Sequence, residues 1–366
     1  MIVGASGHDS DVVRSVCPHL QHLVPGEARD AQPRRFPTIA VRQLNNRSTD
    51  KASPWRGSSP HRQTHPSSSE FYALWRTPRL RSADLAAVGA RHSGVWLSWG
   101  GGKQFQPYGA DRDGAWHGLQ VSRTAFDQLL FDYAHEQGVE TRQPCAVDRV
   151  QLAQEEVRVL TGAGPFSVRI IVDATGWFSR PLGIARGGRS PRLIARYGYA
   201  AGFCSAIDEA PELVGDAKGW VWTAMVQSGL YQWTRVAADG SLPHPGWLPL
   251  NLRRLTPVGP SRGADVTWRM AAHTAHPAWF IVGDAVCRLD PLSSKGVLRA
   301  MMSGIAAGHL IASVLDGRIA ADAAAKCTST GCPSDLYGRP CIWRHSIGSS
   351  GLPASAADAD IEVRYE

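Results

Sequence analysis

Lysine is scarce in this chain, and basic clusters are missing. Five of the 39 basic residues are lysines, which leaves 34 arginines, and the formal net charge is +7 over 366 residues. The arginines are scattered along the sequence and do not alternate with aromatic residues, so the electrostatic footprint of a nucleic-acid-binding protein is absent. We therefore expect no nucleic-acid partner.

The chain also lacks a disulfide pattern and long apolar runs. Its seven cysteines are odd in number and irregular in spacing, which is not typical of a disulfide framework. The longest apolar runs are a few residues and the first residues do not have the layout of a secretion signal. These features predict a cytoplasmic protein with no membrane partner. No metal site is expected either, because Cys327, Cys332, Cys341 and His345 match no common zinc spacing.

Apolar residues are rare in part of the first 81 residues. Between positions 45 and 69 the only apolar residues are Ala52 and Trp55. Such a segment buries too little surface to offset its ordering entropy. We predict an atypical or disordered segment over 1–81, with neither helix nor strand between about positions 8 and 69. An irregular tail is predicted over 326–366, where periodicity ends.

Periodic elements fill the middle of the chain. An apolar stripe after the candidate N-cap Ser122 predicts a helix that ends near Gly138. Strands are expected over 147–152, 157–160 and 166–172, joined as a small antiparallel meander. A short buried strand over 279–283 and a long helix over 294–315 complete this part of the prediction.

Large aromatic side chains mark the segment between about positions 192 and 270. Antiparallel strands are expected over 193–200, 220–226, 231–236 and 265–270, and the rings recur at period two: Trp220, Trp222, Tyr231, Trp233 and Trp268. We interpret them as a flat aromatic wall. Either a sheet core of large residues or a substrate-facing surface explains such a wall.

Two acidic turns follow buried apolar runs. Asp173-Ala-Thr-Gly176 ends one run, and Gly283-Asp284 ends another and leads through Pro291 to Gly296 at a helix start. An aspartate at the carboxyl edge of parallel strands accepts hydrogen bonds from sugar or ribityl hydroxyls, and a following helix N-terminus stabilises negative charge. This arrangement suits a flavin.

Three motifs carry a family resemblance, in the order Val121-Ser-Arg123-Thr-Ala-Phe-Asp127, Asp173-Ala-Thr-Gly176 and Gly283-Asp-Ala-Val-Cys-Arg-Leu-Asp-Pro-Leu-Ser-Ser-Lys-Gly296. Together they resemble the signatures of flavin-dependent monooxygenases, specifically the group that contains the tryptophan halogenases. The resemblance covers about residues 93–317. It implies an α/β fold: a doubly wound FAD-binding domain over 82–190 and 271–325, with an inserted antiparallel-sheet substrate domain over 191–270.

The resemblance also implies roles for individual residues toward FAD. Asp284, with Gly283 beside it, would contact the ribityl or pyrophosphate portion, and Arg123 would contact the cofactor from the other side. Asp173 and Gly176 would shape the neighbouring sheet edge. The residues expected beside the isoalloxazine ring are Pro291, Ser294 and Gly296. Trp220 and Trp222 would face the substrate.

By the same resemblance, the chain would oxidise an aromatic or tryptophan-derived substrate through a flavin peroxide. Electrons would come from a flavin reductase or NAD(P)H. The stretch Trp220-Val-Trp222-Thr-Ala-Met225 keeps the two tryptophans of the halogenase motif but not its isoleucine and proline. Hydroxylation or halogenation of a small aromatic, and oxidation of tryptophan in a partner protein, therefore stay open.

The start of the chain departs from the family pattern. Only Gly4 and Gly7 remain as candidates for the glycine-rich dinucleotide turn. A cofactor-deficient protein that keeps the fold and binds a partner protein is thus the alternative to an enzyme. Lys103 stands in no recognisable halogenase context and is expected to be a solvated loop charge.

Overall fold

The computed structural model describes residues 39–41, 63–64, 89–99, 102–111, 114–115, 117–153, 156–176, 182–184, 186–237, 240–289, 291–293 and 296–330. The fold is mixed α/β and rich in strands. The helices are α1 (Arg123–Glu136), α2 (Ser205–Asp208), α3 (Gly296–Leu315) and α4 (Ala321–Thr330). The strands are β1 (Ile39–Val41), β2 (Gln63–Thr64), β3 (Gly89–His92), β4 (Gly94–Trp99), β5 (Lys103–Pro107), β6 (Ala110–Asp111), β7 (Gly114–Ala115), β8 (Gly118–Val121), β9 (Glu140–Arg142), β10 (Val147–Leu152), β11 (Val157–Thr161), β12 (Gly164–Val168), β13 (Ile171–Asp173), β14 (Arg186–Arg189), β15 (Ile194–Ala201), β16 (Glu212–Asp216), β17 (Gly219–Gln227), β18 (Leu230–Ala237), β19 (Thr256–Asp265), β20 (Arg269–Ala271), β21 (Ala275–His276), β22 (Trp279–Ile281) and β23 (Cys287–Arg288).

The largest sheet has seven strands in the order β19-β15-β18-β17-β16-β4-β5. Its neighbours pair antiparallel except for β16 and β4, which are parallel. The antiparallel strands expected between 192 and 270 are therefore present. Two further strands of the sheet, β4 and β5, come from residues that precede this segment.

The aromatic rings of this sheet lie on both of its faces, so the prediction of one flat aromatic wall is wrong. Trp222 on β17 pairs with Thr234 on β18, whereas Trp233 pairs with Thr223. Because directly opposite residues share a face, Trp220 and Trp222 lie on one face and Tyr231 and Trp233 on the other. The two pairs belong to separate core clusters. The predicted alternation of side chains within each strand is correct, but the register between β17 and β18 determines on which face of the sheet each ring lies.

A second, smaller sheet places β13 parallel to β22, with β21 antiparallel on the far side of β22. The expected strand over 166–172 is two strands: β12 completes the meander β10-β11-β12, and β13 leaves it to pair with β22. Residues 169 and 170 connect β12, in the meander, to β13, in the other sheet. Phe280 and Val282 then pack with Leu310 and Ile311 of α3 and Ala324 of α4.

The predicted helices after Ser122 and over 294–315 are confirmed as α1 and α3. The Ser122 Oγ accepts a hydrogen bond from the Ala125 N–H, as an N-cap does. Helix α3 is long and apolar enough to cross a membrane, judged by length and composition only. Its buried residues pack in core clusters with β22, β8 and α1, as those of a core helix do.

Three segments differ from the sequence-based expectations. β1 and β2 lie within the region where no element is expected, and β1 pairs parallel to β9 while β2 pairs with β8; the rest of 1–81 lies outside the described residues. The expected strand over 265–270 is the end of β19 followed by β20, which belongs to another sheet. α4 continues to Thr330, past the expected start of an irregular tail, and 331–366 lies outside the described residues.

Candidate functional site

The two acidic turns meet at the carboxyl ends of the parallel strands β13 and β22. Asp173, the last residue of β13, is in register with Ile281, the last residue of β22. The Val282 N–H donates to the Asp173 carbonyl oxygen at 2.9 Å. Carboxyl ends of parallel strands are where ligands bind in open α/β sheets. The structure therefore brings the Asp173 turn and the Gly283–Asp284 turn together, as the family resemblance implies.

Asp173 is 4% exposed, and its carboxylate is held by its own turn. Oδ1 accepts from the Thr175 N–H at 2.9 Å and from the Thr175 hydroxyl at 2.6 Å. Gly176 follows with a φ of +72°, a left-handed conformation that favours glycine. Ile281 and Ala285 line a shallow depression beside this turn together with Asp173. The carboxylate thus stabilises the turn and borders this depression.

The second turn is pressed against helix α3. Gly283 has a φ of +64°, and its N–H donates to the Ser303 Oγ at 3.0 Å. A Cβ at Gly283 would lie 3.2 Å from the Ala300 Cβ, so a side chain there is hindered as well as strained. Asp284 is half-buried in the 3-10 turn Gly283–Ala285. Glycine is needed because the turn bends back onto the helix.

The start of α3 completes this side of the site. The 3-10 turn Pro291–Ser293 precedes α3, whose first residue is Gly296. The first N–H groups of a helix have no partner within it and carry the positive end of its dipole. Pro291 and Gly296 therefore flank a helix N-terminus, and Ser294 lies outside the described residues.

The helix that begins at Arg123 packs near the same helix start. Phe126, one turn after Arg123 on α1, packs in a cluster with Val297 of the first turn of α3. The Arg123 guanidinium is a bidentate partner of Asp127, with Nε–Oδ1 at 3.0 Å and Nη2–Oδ2 at 3.1 Å. Both side chains keep about a quarter of their surface exposed, at 25% and 30%. The Asp127 carboxylate thereby fixes the direction of the guanidinium.

Trp220 and Trp222 lie on the face of the large sheet that contacts the Pro291–Ser293 turn. They are 5% and 4% exposed, and Leu292 of the Pro291–Ser293 turn packs against their cluster. The expectation that both tryptophans share a side is confirmed. Their side is the one nearest the loop before α3.

Lys103 lies on strand β5 and is not a free loop charge, which corrects the expectation. Its Nζ is 2.9 Å from Oε1 of Glu212, which is buried, and 5.1 Å from the centre of the Trp96 ring. Glu212 pairs with Thr223 and therefore lies on the sheet face opposite Trp222. The sheet therefore separates this ion pair from the Pro291–Ser293 turn.

Sequence reasoning missed a buried polar group on β3 and β8. His92 is 5% exposed, and its Nδ1 lies 3.1 Å from both the Gly94 carbonyl oxygen and the Tyr108 hydroxyl. Burial lowers the His92 pKa to about 4, the hydrogen bond to Gly94 opposes this shift, and the charge of His117 adds to it. Gln120, on the same sheet, is 3% exposed. The strands are too short for a polar period-two pattern to stand out.

The described residues fit the flavin end of FAD. Two carboxylates at one strand edge and the N-terminus of a helix are the partners that ribityl hydroxyls and an electron-rich ring require. The candidates for the pyrophosphate turn, Gly4 and Gly7, lie outside the described residues. Among the residues that are described, no group of three or more histidine, cysteine or acidic side chains forms a metal site.

Solved structures with a similar fold include flavin-dependent halogenases. The myxobacterial chondrochloren halogenase CndH is 21% identical over 75% of this chain and 70% of its own, with a TM-score of 0.62. CmlS, a flavin-dependent halogenase, is 20% identical over 74% of this chain and 55% of its own, with a TM-score of 0.61. The chain has the fold of flavin-dependent halogenases.

A related flavoprotein shares this halogenase fold. QhpG, a peptidyl tryptophan dihydroxylase essential for tryptophylquinone cofactor biogenesis, is 17% identical over 82% of this chain and 70% of its own, with a TM-score of 0.56. No protein-family model and no curated protein matches the sequence. The chain spans little more than half the length of CmlS.

Proposed function

We propose that this chain is an FAD-dependent oxidoreductase of the monooxygenase or halogenase type that acts on an aromatic or tryptophan-derived substrate. The observation that carries the proposal is the convergence of Asp173 and the Gly283–Asp284 turn at the carboxyl edge of β13 and β22. This edge lies next to the start of α3, within the fold of flavin-dependent halogenases.

Each residue of the edge has a physical task in this proposal. Asp284 accepts hydrogen bonds from the ribityl chain, and the start of α3, flanked by Pro291 and Gly296, stabilises negative charge on the flavin ring. Arg123, fixed by Asp127, approaches from the α1 side. Bound reduced flavin supplies the chemistry by activating molecular oxygen.

The large sheet supplies the substrate side in this proposal. Trp220 and Trp222 exclude water from the face that meets the Pro291–Ser293 turn, and an aromatic substrate would pack near them. We place the FAD-binding part at 82–190 and 271–325 and the inserted sheet at 191–270. The proposed electron source is a flavin reductase or NAD(P)H, and the proposed location is the cytoplasm.

Cofactor affinity of an Asp284 variant tests the proposal. Asp284→Asn removes a charge-assisted contact worth about 1.5 to 3 kcal/mol, so the Kd for FAD should rise about tenfold to a hundredfold. The control is Asp148→Asn, an exposed carboxylate on β10. Quenching of flavin fluorescence measures both affinities, and thermal unfolding without FAD measures stability.

Two outcomes separate the proposal from its alternative. If Asp284→Asn binds FAD as tightly as the wild type, Asp284 does not hold the ribityl chain. If the wild type itself binds no FAD, the oxidoreductase proposal is wrong, and the result favours the cofactor-deficient, partner-binding alternative.

A further inference from the structure

Two exposed apolar side chains lie close together at one end of the large sheet. Phe203 follows β15 and is 80% exposed, and Leu250 starts the 3-10 turn Leu250–Leu252 and is 77% exposed. No other large apolar side chain in the described part of the chain keeps so much of its surface in water. Single exposed apolar residues are ordinary, whereas neighbouring ones expose a shared apolar area that marks an interaction surface.

Contacts between their chain neighbours hold these two side chains together. The Cys204 Sγ donates to the Asn251 carbonyl oxygen at 3.5 Å, although the two residues are 47 positions apart in sequence. On the other side of the exposed phenylalanine, a Cβ at Gly202 would lie 2.6 Å from the Leu255 Cδ2. The segment that carries the phenylalanine therefore lies against the turn that carries the leucine.

Both segments are anchored in the core of the large sheet. Cys204 and Leu252 pack in one cluster with Tyr231, which is on the sheet face opposite Trp222. The exposed pair therefore belongs to the side of the sheet that faces away from the Pro291–Ser293 turn. A partner bound there would leave the cofactor side of the sheet free.

Two arginines border the exposed pair. Arg253 and Arg254 follow the 3-10 turn and are exposed. The Arg253 N–H donates to the Leu250 carbonyl oxygen at 3.5 Å, and residues three apart in such a turn lie on the same side of it. Guanidinium groups bind phosphate through paired hydrogen bonds, and their stems cover apolar surface. The docking patch, formed by Phe203, Leu250, Arg253 and Arg254, thus has an apolar centre and a cationic rim.

We propose that this docking patch binds the surface of an anionic phospholipid membrane. Phe203 and Leu250 enter the boundary between headgroups and acyl chains, and the two arginines contact lipid phosphates. A stable protein interface buries about 800 Å² on each partner, whereas the apolar part of this patch consists of two side chains. The short apolar runs of the sequence predict no membrane partner, but a surface contact through two loop side chains needs no long run.

Co-sedimentation of the full chain with vesicles tests the proposal. At low salt, the wild type should bind vesicles of equal parts phosphatidylcholine and phosphatidylserine at least about tenfold more tightly than vesicles of phosphatidylcholine alone. Phe203→Ser and Leu250→Ser should each weaken binding to the mixed vesicles about tenfold or more, because an apolar side chain no longer leaves water. The matched control Leu152→Ser, which replaces a half-exposed leucine of β10, should bind as the wild type does.

A second pair of variants tests the charge. Arg254→Gln should weaken binding to the mixed vesicles about fivefold and leave binding to phosphatidylcholine unchanged, whereas Arg149→Gln, at an exposed arginine of β10, should change neither. FAD affinity should stay at the wild-type value in every variant, because the patch faces away from the Pro291–Ser293 turn.

Three results would overturn the proposal. The first is a wild type that does not bind the mixed vesicles, and the second is an equal loss of binding in the patch variants and their controls. The third is a wild-type dimer in size-exclusion chromatography that Phe203→Ser dissociates, which would identify the patch as an interface between two copies of the chain.

Discussion

The ion pair between Lys103 and Glu212 allows a test of whether Lys103 has a structural or a catalytic role. Glu212 Oε1 is 2.9 Å from Lys103 Nζ, and Oε2 accepts from the Asn251 Nδ2 at 2.8 Å. Glu212→Gln should lower the free energy of unfolding by about 1 to 3 kcal/mol, because the Lys103 ammonium then faces a neutral amide in place of a carboxylate. Lys103→Met should lower it by about 1 kcal/mol, because the lysine is 40% exposed and solvent screens its charge.

Urea unfolding measures these changes, and Lys218→Met is the matched control. Lys218 is exposed in the turn between β16 and β17, so its replacement should change stability by less than about 0.5 kcal/mol. FAD affinity should stay at the wild-type value in all three variants, because the pair lies on the far face of the sheet from Trp222. A Lys103→Met protein of unchanged stability that has lost FAD-dependent oxidation would refute this reasoning.

Three further changes have defined outcomes. Trp222→Ala should impair substrate oxidation more than FAD retention. An equal loss of both, together with a decrease of about 3 to 5 kcal/mol in the free energy of unfolding, would identify Trp222 as a core residue instead. Gly283→Ala should lower stability by about 1 to 3 kcal/mol and weaken FAD binding, because of its φ of +64° and the nearby Ala300; thermal unfolding and flavin quenching check this. The third concerns His92, whose pKa is lowered by burial from the ordinary 6.5 to about 4. Between these two pH values the imidazole is protonated in the unfolded chain but neutral in the folded chain. The free energy of unfolding should therefore fall as the pH drops from about 6.5 to 4. His92→Asn should reduce this fall, as measured by urea unfolding midpoints at pH 7 and pH 5. The neighbouring groups His117 and Tyr108 are kept in the variant. A pH dependence equal to that of the wild type would contradict the burial of a neutral His92 ring.

The acidic-glycine turns could be predicted from the sequence because their chemistry is local. A buried apolar run followed by Asp173 or by Gly283-Asp284 indicates a strand end, and the structure places both at one edge. Helix α1 was similarly readable from Ser122 and its apolar stripe.

The register between strands could not be read from the sequence. Period two gives the alternation within β17 and within β18, but only the pairing of Trp222 with Thr234 shows that the rings lie on two faces. Lys103 and Glu212 are more than one hundred residues apart, so no local pattern joins them. The same reason applies to the buried polar group His92, Tyr108 and Gln120, because only the pairing of short strands brings its members together.

The most direct test of the central claim is whether the wild-type chain retains FAD. The purified protein is incubated with FAD and desalted, and the visible absorbance of the protein fraction is recorded. Our account predicts a flavin spectrum that travels with the protein and that Asp284→Asn diminishes but Asp148→Asn does not. A colourless protein fraction, with all of the FAD eluting free, would contradict it.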